Sequence, residues 1–148
     1  MSETRKTPWH LWLVGIAGLL WNLIGVSDYI FAKMKSDWYM QEVGQFTPDQ
    51  IAWFYDFPLW ANIGWALGVW GSLIGSLLLL ARSRHAVTAF AVSIAGLAAM
   101  TLYQFVLNGD RFAALFGMGP AYFTAVIWAV VLALFFYARR QAAHGVLR

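Results

Sequence analysis

The sequence contains no cysteine among its 148 residues. It therefore has no disulfide, no thiolate nucleophile and no metal cluster held by cysteine. Its three histidines, His10, His85 and His144, stand at the starts of apolar runs or in the tail. A membrane haem needs histidines inside spanning helices, so we expect neither haem nor any other cofactor. His10 and His85 could meet and hold a metal, but anchoring at helix ends is the commoner role, and we predict no metal site.

Charged residues are also scarce, at 11%, whereas hydrophobic residues make up 61% and aromatic residues 18%. A soluble chain of this length could not bury so much apolar surface. The net charge of +3 taken alone would suit nucleic acid, but the basic residues stand at the ends of apolar runs. That pattern is typical of orientation in a membrane. The sequence therefore predicts the lipid bilayer as partner and no nucleic acid.

The sequence also lacks the HExxH, GxSxG and GxxxxGK motifs of metalloproteases, serine hydrolases and phosphate-binding loops. Within its apolar runs it has one carboxylate, Asp28, and no second acid, nucleophile or metal set. We therefore predict that the protein is not an enzyme. The alternative is a membrane-embedded enzyme that uses Asp28 as acid or base.

Four long apolar runs are present, at about residues 9–31, 57–81, 86–107 and 120–138. Each is close to the roughly 20 residues that cross a bilayer as a helix. They predict a single all-α membrane domain, residues 1–148, built as a four-helix bundle of two hairpins.

Small residues form stripes on the first two predicted helices. Between membrane helices, close backbone approach at such residues supplies much of the attraction. For Asn22, near the middle of the first helix, we favour an interhelical hydrogen bond. The packing could lie within the chain or between copies, so a homo-oligomer through the glycine faces is also expected. The predicted packing residues are Gly18, Asn22, Gly25, Gly64, Gly68, Gly71 and Gly75.

A short helix is predicted at about residues 48–56, between the first two spans. Thr47 fits the N-cap, Pro48 the first helical position and Gln50 the third position of a capping box. The segment is rich in Trp and Tyr, which favour the membrane surface. We interpret it as an interfacial helix in the first outer loop, with a binding lid as the alternative.

A few polar residues lie about one turn inside the same end of the bundle, and we predict them as a candidate ligand site. A carboxylate within a membrane indicates a functional site by default. The competing interpretation is hydration and packing, with Lys33, Lys35 or Arg111 neutralising the acid. The candidate residues are Asp28, Asn62, Gln104, Tyr122 and Thr124.

Six short motifs in roughly the first 110 residues carry a resemblance to a known group. They are PWHLW at 8–12, WN at 21–22, DY at 28–29, FTP at 46–48, FPLW at 57–60 and WALGVWG at 65–71. With these motifs the chain resembles a group of small bacterial four-helix inner-membrane proteins that has no established activity. Some members carry an automatic label of sugar transporter. The resemblance implies a bacterial inner-membrane location, and it defines no sugar-binding residues that could be carried over.

Two functions remain open from the sequence. The first is a non-catalytic binding or accessory protein of the membrane, with an unknown small-molecule ligand. The second is a transporter of a small solute, with a sugar as one candidate in view of the resemblance. It would act as an oligomer, because four helices leave little interior for a path.

The distribution of basic residues predicts the orientation. With the N-terminus in the cytoplasm, seven basic residues are inside, namely Arg5, Lys6, Arg82, Arg84, Arg139, Arg140 and Arg148. Three are outside, namely Lys33, Lys35 and Arg111. The excess of positive charge on the cytoplasmic side predicts that both termini are cytoplasmic.

Reporter fusions test this orientation. We expect a periplasm-active enzyme inserted at residue 45 to be active and the same enzyme inserted at residue 83 to be inactive, because a spanning helix separates the two positions. A cytoplasm-active reporter should give the reverse pattern. Equal activity of one reporter at both positions would contradict the topology.

Overall fold

The computed structural model describes residues 6–148, so Arg5 lies outside the described residues. Over this range the chain is helical and contains no strand. Two of its segments, Trp38–Val43 and Leu102–Leu107, are π-helical turns. The α-helices are α1 (Trp9–Lys33), α2 (Pro48–Tyr55), α3 (Leu59–Leu80), α4 (His85–Thr101), α5 (Gly109–Phe116) and α6 (Gly119–Ala143).

Four helical stretches are long and apolar enough to cross a membrane: α1, α3, His85–Leu107 and α6. The predicted number of spanning helices is therefore confirmed. The last helix was predicted to end at about residue 138 and instead continues to Ala143. Arg139 and Arg140 do not end a helix, because arginine is a good helix former. The helix ends where Gly145 adopts a φ of 75°, which glycine accepts without steric cost.

The closest helix pair is α3 with α4, and glycines on both helices allow the approach. A Cβ atom added to Gly64 would lie 2.8 Å from the Cβ of Ala99, and one added to Gly71 would lie 3.1 Å from the backbone nitrogen of Ser93. Ser93 Oγ donates a hydrogen bond of 2.6 Å to the carbonyl oxygen of Gly68. The predicted glycine stripe of α3 therefore packs within the chain.

The four long helices follow one another around an arc. α1 packs on α3, α3 on α4 and α4 on α6, whereas α1 and α6 make few contacts with each other. The contacts between α1 and α6 are few but spread along both helices. A Cβ at Gly18 would lie 3.1 Å from Leu134 Cδ2. The ring centres of Trp21 and Phe123 are 6.0 Å apart, and His10 bonds to Tyr137. The bundle is therefore tight along the α3–α4 pair and looser between its first and last helices.

The carboxyl-terminal tail is part of the packed end of the bundle. Val146 and Leu147 are buried in one apolar cluster with residues of α1, α3, α4 and α6. The backbone of Arg148 pairs with the turn between α3 and α4: its nitrogen donates to Arg82, and its oxygen accepts from Arg84. Thr7 also accepts a hydrogen bond from Arg82, so both ends of the described chain lie beside this turn. Which side of a membrane this end faces stays a prediction.

The α3–α4 contact predicts the effect of Gly96→Ala. A Cβ at Gly96 would overlap the carbonyl oxygen of Gly64 and lie 2.5 Å from the nitrogen of Gly68. Both atoms belong to a helix backbone and cannot move independently. We expect the free energy of unfolding to fall by about 1–3 kcal/mol, measured by reversible denaturation in mixed micelles.

Gly25→Ala on α1 is the matched control, because a Cβ there meets only Val69 Cγ1 at 3.8 Å. The control should be as stable as the wild type or more so, since alanine favours helix over glycine by about 1 kcal/mol. A Gly96→Ala protein as stable as Gly25→Ala would contradict the close approach.

Candidate functional site

A cavity of about 610 Å³ lies on the looser side of the bundle. All four long helices contribute to its wall, together with α2, α5 and the segment around the first π-helical turn. Most of the wall is apolar and much of it aromatic. The polar side chains on the wall include Asn22, Asp28, Ser72, Ser93, Gln104 and Thr124.

The structure brings three of the five predicted site residues to this cavity and leaves two outside it. Asp28, Gln104 and Thr124 line the wall. Asn62 instead bonds elsewhere: Lys33 Nζ donates to its Oδ1, and its Nδ2 donates to the carbonyl oxygen of Phe57 at 3.0 Å. Tyr122 is 71% exposed on the outer surface of α6. The predicted ring of five is therefore a group of three.

These three residues lie at the same end of the bundle. Asp28 is five residues from the end of α1, Thr124 is five residues from the start of α6, and Gln104 is three residues from the end of the span His85–Leu107. At 1.5 Å per residue these positions are roughly 5–8 Å from their helix ends. The polar part of the wall is therefore near the end of the bundle at which α1 ends and α6 begins.

Local backbone geometry positions Gln104. It belongs to the π-helical turn Leu102–Leu107, in which one extra residue per turn shifts the direction of the following side chains. Asn108 Nδ2 closes this turn by donating to the carbonyl oxygen of Tyr103 at 3.0 Å. On the facing helix, Trp128 Nε1 donates to Thr101 Oγ1 at 3.0 Å, which fixes α6 against α4.

The three polar side chains have no hydrogen-bond partner within residues 6–148. Asp28 is exposed, and Gln104 and Thr124 are partly buried, so none of them is a fully buried group that must be paired within the protein. Asn22, Ser72 and Ser93 on the same wall are buried and hydrogen-bonded. The three unpaired side chains are therefore accessible to lipid, water or a ligand.

The cations offered by the sequence as partners for Asp28 are engaged elsewhere. Lys33 bonds to Asn62 and lies 5.4 Å from the centre of the Trp65 ring. Lys35 lies 5.2 Å from the ring centre of Tyr55, and Arg111 lies 5.2 Å from that of Trp53. None of the residues that line the cavity in the described part of the chain is basic.

The segment between α1 and α3 covers one end of the cavity. Tyr39, Met40, Phe46 and Phe54 from this segment line the wall. The predicted capping box of α2 is present: Gln50 N donates to Thr47 Oγ1 at 3.3 Å, and Thr47 N donates to Gln50 Oε1 at 3.0 Å. The predicted short helix is therefore present, and both interpretations of it, an interfacial helix and a binding lid, stay predictions.

Trp53 attaches the segment between α1 and α3, here called the cover (residues 38–57), to the rest of the structure. Its side chain is 1% exposed and packs against Tyr103 and Phe112, with ring centres 5.4 and 5.5 Å away. Gln50 Nε2 also donates to the carbonyl oxygen of Leu115 at 2.8 Å, which joins α2 to α5. The cover is therefore held by aromatic contacts from three separate stretches of the chain.

The cavity itself was not predicted, and the expectation of little interior space is wrong for this side of the bundle. The wall extends beyond the four long helices because α2, α5 and the first π-helical turn add to it. Gly25 is the one residue of the predicted stripe that pointed to the cavity. A Cβ atom added there would have only Val69 within 4 Å, so the glycine leaves space beside it. Periodicity could not distinguish this open glycine from the packed glycines of the same stripe.

The interhelical hydrogen bond predicted for Asn22 is confirmed and belongs to a small network. Asn22 Nδ2 donates to the carbonyl oxygen of Ser72 at 3.0 Å and to Ser76 Oγ at 2.8 Å. Ser72 Oγ donates to Asn22 Oδ1 at 2.9 Å. All three side chains are buried, so the network fixes the register of α1 against α3.

A second cleft of about 410 Å³ lies at the opposite end, beside the chain termini. Lys6, Arg140 and His144 line it, and His10 Nδ1 lies 2.5 Å from Tyr137 Oη. No group of three or more histidine, aspartate or glutamate side chains that could hold a metal occurs among residues 6–148.

The chain matches no protein-family model, and no curated protein or solved structure is significantly similar to it. The class of protein is therefore inferred from the fold and the cavity alone. Four apolar helices of spanning length fit an integral membrane protein, here one with a largely apolar cavity.

A double-mutant cycle tests the network between α1 and α3. Asn22→Ala and Ser72→Ala should each lower the free energy of unfolding. Their coupling energy should be about 0.6–1.7 kcal/mol, the range of hydrogen bonds between membrane helices.

The control cycle pairs Asn22→Ala with Ser27→Ala, because Ser27 Oγ bonds only to Leu23 within α1. Its coupling energy should be close to zero. Equal coupling in the two cycles would show that the Asn22–Ser72 hydrogen bonds do not form.

Proposed function

We propose that this protein is a non-catalytic binding protein of the membrane, and that its cavity holds a small amphipathic molecule. The observation that carries the proposal is the combination of an apolar wall with three unpaired polar side chains at one end. An apolar body would replace water or lipid along the wall. A polar head would satisfy Asp28, Gln104 and Thr124. Ligand sites commonly combine an apolar lining with a few convergent polar groups.

The position of the cavity among apolar helices supports the same proposal. All four long helices line it, and each is apolar enough to lie in a membrane. An amphipathic molecule dissolves in the lipid around such helices, so it need not cross an aqueous phase to reach them. The aromatic cover formed by residues 38–57 separates the cavity from the adjoining end of the bundle.

The second candidate is a small-solute transporter, and the position of the polar residues near one end of the bundle favours it in part. Movement across the membrane would require the cavity to open toward the other end. There, Leu11, Leu79, Phe90 and Leu134 form a buried apolar cluster. A sugar fits the wall poorly, because its many hydroxyl groups need more hydrogen-bond partners than this wall offers. An oligomer through the glycine faces remains part of this candidate.

The location that we propose is the bacterial inner membrane, with both termini in the cytoplasm. The distribution of basic residues supports the orientation, and the resemblance to small bacterial inner-membrane proteins supports the membrane. An enzymatic role for Asp28 is not proposed, because the described residues of the cavity wall include no second carboxylate and no histidine. The hydroxyls of Ser72 and Ser93 on that wall are engaged in hydrogen bonds between helices.

Photolabelling tests the proposal. A long-chain alkyl alcohol that carries a diazirine is added to the purified protein in an uncharged detergent, and labelled peptides are identified by mass spectrometry. Met40 and Met100 line the cavity and are 2% and 8% exposed, whereas Met34 and Met118 are 70% and 61% exposed. We expect saturable labelling around Met40 and Met100, and non-saturable labelling around Met34 and Met118.

Gly25→Leu is the cavity-filling variant, and Gly25→Ala is its control. The leucine side chain extends into the open space beside Val69, so cavity labelling should fall at least fivefold while labelling at Met34 and Met118 stays unchanged. Gly25→Ala should retain the wild-type pattern. If labelling at Met40 and Met100 is absent, or survives in Gly25→Leu, the binding function is wrong.

A further inference from the structure

We propose that the ligand of this cavity is an organic cation with an apolar body, such as a lipophilic amine or quaternary ammonium compound, bound by the Asp28 carboxylate. This inference rests on the binding function proposed above and adds the charge of the ligand. Three independent features of the cavity lead to it: one unpaired acid, an aromatic wall and the charge of the adjoining surface.

The first feature is the uncompensated carboxylate. Asp28 is the one ionisable acid on the cavity wall, no basic residue of the described chain lines that wall, and Asp28 has no hydrogen-bond or ion-pair partner among residues 6–148. The nearest basic residue along α1 is Lys33. A separation of five residues places it about 140° around the helix axis from Asp28, and it bonds to Asn62. A cationic ligand would supply the missing counter-charge, whereas an anion would be repelled.

The second feature is the aromatic wall. Trp21 on α1, Tyr39 after it, Phe112 on α5 and Phe123 on α6 all line the cavity. Trp65 on α3 also lines it, but Lys33 already lies 5.4 Å from the centre of that ring. Ring faces attract alkylammonium groups through the ring quadrupole, and they pack well against apolar substituents. A strongly hydrated inorganic cation would gain little from such a wall, so the wall selects for an organic cation.

The third feature is the charge of the stretches that connect the helices at the end of the bundle nearest Asp28. The stretches that connect the helices at this end contain the acids Asp37, Glu42, Asp49, Asp56 and Asp110, against the bases Lys33, Lys35 and Arg111. The opposite end has Lys6, Arg82, Arg84, Arg139, Arg140 and Arg148 and no acidic side chain among the described residues. The negative end of this asymmetry adjoins the polar part of the cavity, so the protein's own field concentrates cations there.

The three features are complementary. The carboxylate alone would suit a metal ion or a proton, and the aromatic wall alone would suit any apolar molecule. Gln104 and Thr124 add hydrogen-bond groups beside the acid that can accept from an N–H of an amine. A ligand with a positive head and an apolar body satisfies all of these groups at once.

Competition against the diazirine alcohol tests the charge. Tetraphenylphosphonium and tetraphenylborate have the same shape and size and opposite charge. We expect tetraphenylphosphonium to displace the label from Met40 and Met100 at a concentration at least tenfold lower than tetraphenylborate. In Asp28→Asn, the concentration of tetraphenylphosphonium needed, relative to that of tetraphenylborate, should rise about tenfold, which corresponds to about 1.4 kcal/mol. Helical circular dichroism and a thermal unfolding midpoint equal to those of the wild type show that the variant is folded.

Two control variants complete the test. Asp37→Asn removes an equal charge from the same end, but Asp37 does not line the cavity, so the preference for the cation should persist. Asp28→Glu restores the carboxylate and should retain most of the preference. Equal competition by the two ions, or an unchanged preference in Asp28→Asn, would overturn the cation inference and leave the binding function standing. Loss of alcohol labelling from the wild-type cavity would overturn both.

Discussion

The close backbone contact between α3 and α4 is the constraint on which the rest of the structure depends. Gly64, Gly68 and Gly96 allow two helix backbones to touch, with Ser93 bonded across the contact. Lipid is as apolar as leucine, so helices in a membrane associate through such close packing rather than through exclusion of water. Because this pair is so close, the bulkier residues of α1 and α6 must pack on its flanks. The cavity lies among the four long helices, and Trp21 of α1 meets Phe123 of α6 on its wall.

Polar residues in this bundle form two groups that differ in whether they have partners. Asn22, Ser72 and Ser76 bond to one another, and Thr101 bonds to Trp128, so these residues stabilise contacts between helices. Asp28, Gln104 and Thr124 have no partner within the described chain and share one cavity wall. Asp28 is exposed, and the other two are partly buried, so they are accessible to the ligand that we propose.

The segments between the long helices contribute to the site as much as the helices do. Residues 38–57 fold over the cavity through Trp53, and the π-helical turn at Leu102–Leu107 turns Gln104 into its wall. The opposite end is closed differently, by the tail residues Val146 and Leu147 in an apolar cluster. The two ends therefore differ in chemistry. The end that carries residues 38–57 is aromatic and adjoins the polar part of the cavity wall. The opposite end is filled by an apolar cluster and is bordered by basic residues.

The sequence by itself determined the all-helical class, the four spanning-length helices, the capping box at Thr47 and the hydrogen bond of Asn22. Each of these depends on local pattern: run length, residue spacing or a cap motif. It placed Asp28, Gln104 and Thr124 at one depth, but it grouped Asn62 and Tyr122 with them, because depth along a helix follows from sequence and the direction of a side chain around the bundle does not. Only the tertiary structure decided which glycines are packed and which, like Gly25, leave space. That outcome depends on the angles and distances between helices, which arise from all the contacts of the bundle together.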